Sequence, residues 1–142
     1  MSEQSERGGF PRRDDEGRIA ALPDLVGVSL AGVVVGILAL VVFDWAFALV
    51  GAGHFGRANG WLAVILPIWL FVDDFRAWSF GAARVVAAAL AAAAGVLAGL
   101  LTAGAANALP PLGSGSLAAA VFALVYAVIW FPVVRWLARR TG

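Results

Sequence analysis

Residues 61–78 read WLAVILPIWLFVDDFRAW, and the threading of the whole chain turns on whether this stretch crosses a bilayer. Trp61 to Val72 are apolar without a break. Twelve such residues at ~1.5 Å each reach about 18 Å, short of a hydrocarbon core ~30 Å thick. Two adjacent carboxylates, Asp73 and Asp74, and a guanidinium, Arg76, follow at once. By length alone the stretch is a re-entrant or interfacial piece. The competing reading is a full span whose charged end reaches the far rim of the membrane.

The flanking segments decide between the two. Leu25 to Val50 is long enough to cross, with Asp44 as its only charge. Pro23 and Asp24 suit a first helical turn, where a missing N–H and a negative charge are both tolerated. Leu117 to Val134 forms another span, between GSGS (113–116) and RWLARR (135–140). Val85 to Ala106 is alanine-dominated and expected to lean on its neighbours. Counting arginines then tests the threading, because cytoplasmic loops carry the excess of positive charge. Four spans with a cytoplasmic N-terminus put nine arginines inside and only Arg57 outside. Three spans put four inside and six outside. The four-span reading is therefore predicted: an all-α bundle of four transmembrane helices at about 25–50, 59–78, 82–106 and 116–135, both termini cytoplasmic.

Composition agrees. The 142 residues are 62% hydrophobic and 13% charged, against ~25% charged in soluble domains. A globule of this size cannot hide that much apolar surface from water, whereas lipid accepts it. The net charge of +1 argues against nucleic-acid binding. Without cysteine there are no disulfides, thiol nucleophiles or thiolate metal sites. Residues 1–20, MSEQSERGGFPRRDDEGRIA, hold five acids and four arginines. They are expected to form a mobile, solvated cytoplasmic tail rather than a secretory signal, ahead of a transmembrane domain over 21–142.

Few polar groups fall within the spans. In the four-span threading, Asp73 and Asp74 lie at the inner rim, with Arg76 and Trp78 at headgroup level, where such side chains anchor. Arg84 is expected to pair with one of the aspartates. The sharper alternative is a proton or cation site, since intramembrane carboxylates are functional candidates. Neighbouring helical residues diverge by ~100°, so the two aspartates cannot both face one neighbour. Asp44 requires a partner, a proton or water. Arg57, in the loop GAGHFGRANG (51–60), is its expected partner, and a proton relay through His54 is the alternative. A lone His54 makes no metal site, and no metal or cofactor is expected.

Small residues mark packing faces. Gly32 and Gly36 on the first span, and Ala87, Ala91, Gly95 and Gly99 on the third, recur every four residues. Small stripes let helices approach closely in lipid. The two stripes are expected to meet each other, to serve ordinary packing within one chain, or to form a homo-oligomer contact. Pro67 and Pro132 are expected to loosen or kink their helices.

GWLAVILPIWLF (60–71) resembles the second helix of the small four-span ATP synthase assembly protein I family. The likeness covers one helix, and FGAARVVAA (80–88) lacks the glutamate of that family's pattern, so no residue role is carried over. The chain shows no phosphate-binding glycine loop, no catalytic serine or cysteine set and no paired histidines, and no enzymatic activity is expected. Two readings remain. The favoured one is a small non-catalytic accessory, assembly or scaffold subunit of the cell membrane, associating with itself or with a partner membrane protein through its small-residue faces. The alternative is a minimal oligomeric transporter or channel for protons or small cations that uses the intramembrane carboxylates.

Overall fold

A computed structural model describes residues 12–54, 58–79 and 81–141. Among these the chain is helical apart from turns and one isolated antiparallel bridge, Arg13 to Ile19. Helix α1 runs Leu22–Leu49, α2 Ile65–Ala77, α3 Ala82–Ala105 and α4 Pro111–Thr141. A 3-10 segment, Gly60–Val64, leads directly into α2. Three helices, α1, α3 and α4, are long and apolar enough to cross a membrane. The run 60–77 is shorter, 18 residues of continuous helix in two parts.

Helix α1 begins with Pro23 in its first turn and Asp24 beside it, where the free N–H groups and the positive end of the helix dipole accept them. Beyond that turn the helix is greasy on every side, with Val34, Val35, Leu38, Val42, Phe43 and Trp45 all exposed. An all-round apolar surface of that kind suits lipid. By contrast α3 buries a single line, Ala87, Ala91, Gly95 and Gly99, the i, i+4 face expected of a helix. Its leucines and valines point outward.

The packing partners correct one expectation. The stripes of α1 and α3 do not meet. Gly32 lies against Leu66 and Pro67, and Gly36 so close to Ala63 that an added methyl would come within 2.9 Å of the Ala63 Cα. On α3, Gly95 receives the Phe122 ring, and Gly99 lies against Trp61 and the Ala118 carbonyl. Each stripe is thus spent on a neighbour within the chain, α1 on the 60–77 run and α3 on α4. The contacts also set direction. Gly36 pairs with Ala63 and Gly32 with Leu66, so α1 and the 60–77 run are antiparallel. Gly95 pairs with Phe122 and Gly99 with Ala118, so α3 and α4 are antiparallel too.

Tightest of all is the meeting of the 3-10 segment with the start of α4. A Cβ on Gly60 would overlap the Ser116 N and the Leu112 carbonyl, and one on Gly115 would overlap the Asn59 side chain. Asn59 caps the segment, its Oδ1 accepting from Trp61 N at 3.0 Å. Pro67 falls in the first turn of α2, just past the 3-10 segment, where its missing N–H costs least. It sits at the junction of the two helical parts. Pro132 does lie inside α4. Down the inner side of that helix run Phe122, Tyr126 and Trp130 at every fourth position, and Phe71 stacks on Tyr126 with ring centroids 4.1 Å apart.

Candidate functional site

The polar centre of the molecule is Asp74. Its side chain is fully buried, and both carboxylate oxygens are occupied. Oδ1 accepts from the backbone N–H of Ile19 at 2.9 Å, and Oδ2 from the indole Nε1–H of Trp130 at 2.6 Å. Ile19 and Trp130 are themselves fully buried. A buried carboxylate demands such donors, since leaving it without them costs several kcal/mol by order of magnitude, about 1–3 for each polar group and more for a charged one. Asp73, one position earlier and ~100° around the helix, is exposed.

Ile19 belongs to a segment that folds back over this end of the molecule. Arg12 opens it with a fork onto Asp24, its backbone N donating at 2.8 Å and its Nε at 3.0 Å. Asp14 closes the turn by accepting from Glu16 N and Arg18 N, an arrangement that aspartate side chains favour. Gly17 supplies the positive φ of 84° that the reversal needs. Ala20 N then donates to the Arg12 carbonyl. For residues 12–20 the expected solvated tail is corrected: the segment is a folded strap whose one buried apolar side chain, Ile19, docks beside Asp74. Residues 1–11 lie outside the described part of the chain.

Arg135 ties the strap from the other side. Its Nη2 donates to the Ile19 carbonyl at 2.6 Å and its Nη1 to the Phe131 carbonyl at 3.2 Å. Residue 19 thus has its N–H held by Asp74 of α2 and its carbonyl by Arg135 of α4. Trp78, expected at headgroup level, is buried within the fold, with the Arg18 guanidinium 4.3 Å and the Arg135 guanidinium 5.2 Å from its ring centroid. Arg84 reaches the Trp78 and Phe75 carbonyls at 3.0 and 3.3 Å and stacks on the Phe75 ring. It thereby covers the carbonyls at the end of α2, which no further helical turn satisfies. Arg76, in that last turn, is exposed.

Partial burial works against the charge of Asp14. The Arg18 backbone N–H and guanidinium, with the Glu16 N–H, outweigh it and hold the carboxyl below its usual range.

The other predicted residues lie at the opposite end. Asp44 is buried at 8% exposure on the C-terminal part of α1, and His54 is exposed. Arg57, and with it the expected Asp44–Arg57 pair, lies outside the described residues. No group of three or more His, Cys, Asp or Glu side chains gathers among the described residues. Beside the site an apolar crevice of about 300 Å³ opens between α2 and α3, floored by Phe122 and Tyr126 of α4.

Sequence reasoning misses Trp130, Ile19 and Arg135 as the surroundings of Asp74. Two signals point there. Trp130 ends the i, i+4 aromatic series on α4, and Ile19 is a lone large aliphatic amid charges. No family model, no curated protein and no solved structure matches this chain.

Proposed function

We propose that this protein is a non-catalytic multi-pass membrane protein of the cell membrane, an accessory or scaffold subunit, threaded four times with both termini in the cytoplasm. The observation that carries the functional part is the Asp74 carboxylate. Both of its oxygens are committed to N–H donors in a fully buried setting. A carboxylate that relays ions needs a free face on a wet path, and midplane sites are the usual place for it. Here the group fastens the strap to α2 and α4, and the crevice beside it is lined with apolar side chains.

The threading is supported by length and level. Five 3-10 residues and thirteen α-helical ones extend about 30 Å together, at ~2.0 and ~1.5 Å each, the length of the hydrocarbon core once the charged end that follows Val72 is counted as reaching its rim. Gly60 sits beside Ser116 at one end, and Asp74 beside Trp130 at the other. The run therefore keeps pace with the apolar length of α4.

Single-cysteine variants Arg57→Cys and Arg76→Cys, in a chain that has no native cysteine, are expected to label from opposite faces of sealed cells. Labelling from one face overturns the threading. For function, purified protein in liposomes is expected to carry no proton or cation flux and to co-purify with a larger membrane complex or with itself in mild detergent. Flux abolished by Asp44→Asn or Asp74→Asn establishes the transporter reading in its place.

A further inference from the structure

Beside the strap lies a second, polar pocket of about 360 Å³, lined by Asp14, Arg18, Trp78, Arg135, Ala138 and Arg139. We propose that it binds the phosphate group of an anionic phospholipid.

Three observations converge on this. First, three guanidiniums from two separate parts of the chain, Arg18 on the strap and Arg135 and Arg139 on α4, line one opening, against one lining carboxylate, Asp14. Arg18 and Arg135 also crowd a single indole ring, an arrangement of like charges that an anion between them relieves. Asp14 and Glu16 both pair with Arg18, and Asp74 lies behind the Ile19 backbone that Arg135 holds, yet Arg139 has no ion pair among the described residues. Second, Trp78 is only 8% exposed and its Nε1–H is buried without an acceptor. A buried indole N–H ordinarily has one, and this residue lines the pocket. Third, the donors diverge. Arg18 gives Nε and Nη2 to Asp14 and Glu16, and Arg135 gives one N–H of each Nη to the Phe131 and Ile19 carbonyls. The Arg139 fork, the Trp78 N–H and the N–H groups that remain on the other two arginines suit an oxyanion with several acceptor oxygens better than a planar carboxylate, which one arginine satisfies by itself.

The location favours a lipid as the source. The pocket sits at the end of α2 and along the last turns of α4, past the apolar stretch ending at Val134. Phospholipid headgroups lie at that depth, and basic pockets at helix ends recognise them. The site belongs to this end of the molecule whichever side of the membrane the end faces, so it stands apart from the threading and from the scaffold reading.

The test uses the full chain in maltoside detergent at low salt, titrated calorimetrically with dihexanoyl-phosphatidylglycerol, dihexanoyl-phosphatidylcholine and inorganic phosphate. Phosphatidylglycerol is expected to bind, and phosphatidylcholine to bind far more weakly because its ammonium group meets three guanidiniums. Arg139→Gln leaves every contact of the strap in place and is expected to weaken phosphatidylglycerol about tenfold, the size of a lost charge-assisted hydrogen bond. Trp78→Phe keeps an aromatic ring and removes the N–H, with about a fivefold loss expected. Arg140→Gln is the control, because Arg140 stacks on Trp136 and does not line the pocket. Inorganic phosphate binding as tightly as the lipid, with the same dependence on Arg139, supports the site and assigns it a soluble phosphate instead. Equal binding of the two lipids, or equal effects of Arg139→Gln and Arg140→Gln, overturns the proposal.

Discussion

The two ends of this molecule bury aspartates in different surroundings, Asp24 and Asp74 at the strap end and Asp44 at the other. At the strap end, Asp74 is held by a backbone N–H from residue 19 and an indole from residue 130, and Arg135 closes the arrangement. Three parts of the chain, far apart in sequence, are fastened there by directed polar contacts. At the other end α1 continues past the start of the 3-10 segment, from about Leu40 to Leu49, roughly 15 Å of helix. Val42, Phe43, Trp45, Phe47 and Leu49 are all exposed there. The contrast reflects the solvent. Lipid tails are as apolar as leucine, so grease against grease gives helices little reason to associate. Close backbone approach and a few well-satisfied polar groups do the joining.

Removing Asp74 is the most severe way to break the contrast. Asp74→Ala leaves the Ile19 N–H and the Trp130 N–H buried without acceptors and opens a small void. A loss of about 3–5 kcal/mol is expected, from roughly 1.5–3 for each hydrogen bond to a charged group. The midpoint of thermal unfolding in detergent measures it. Asp74→Asn is sharper, because it keeps the volume but offers one acceptor for two donors, and about half the loss is expected. Hydrogen exchange at the Ile19 amide should accelerate in both variants, whereas the amides of α1 near Asp44 should not change. Asp73→Asn, one residue away and exposed, is expected to do nothing measurable to stability.

Part of this arrangement is legible in the sequence and part is not, for physical reasons. The three long helices follow directly from runs of apolar residues, because lipid imposes a length on every crossing. That Asp73 and Asp74 face different ways follows from helical geometry alone. The partners of Asp74 do not follow, because hydrogen-bond donors 55 and 56 positions away leave no local pattern. Residues 12–20 read as solvated because charge dominates their composition. What composition cannot register is that Asp14 and Asp24 spend their charge on Arg18 and Arg12, freeing Ile19 to dock. The small-residue stripes are visible, but spacing marks only which face packs closely. The surface it meets depends on how the other helices are placed.

Next in size come the close approaches. Gly60→Ala or Gly115→Ala forces a methyl into backbone atoms that cannot move aside, and about 1–3 kcal/mol of destabilisation is expected. Gly36→Ala meets Ala63 at a slightly greater distance and should fall at the lower end of that range. Gly104, on the exposed side of α3, has open space around it. There Gly→Ala is expected to stabilise by about 0.5–1 kcal/mol, through helix propensity. Opposite signs for chemically identical substitutions would confirm that proximity, not glycine content, makes these positions matter. Matching signs would mean that the stripes are only a product of composition.

The smallest expected effect is acid loosening of the strap. Partial burial opposes the charge of Asp14, but the Arg18 N–H and guanidinium favour its ionised form more strongly, so in the folded chain it titrates below the ordinary carboxylate range. A depressed folded value means that its contribution is complete above the unfolded value of ~3.9 and declines as pH falls through the folded one. The turn 14–18 should therefore hold from neutrality down to about pH 4 and loosen only below that, reversibly. The amide resonances of Glu16 and Arg18, which donate to the Asp14 carboxylate, should report it directly. Asp14→Asn should abolish the acid step while leaving the Ile19 amide shift in place, because that amide answers to Asp74. If the Ile19 signal instead moved together with the Asp14 titration, the turn and the buried anchor would be one cooperative unit, and the strap would have to be described as held from its tip as much as from its root.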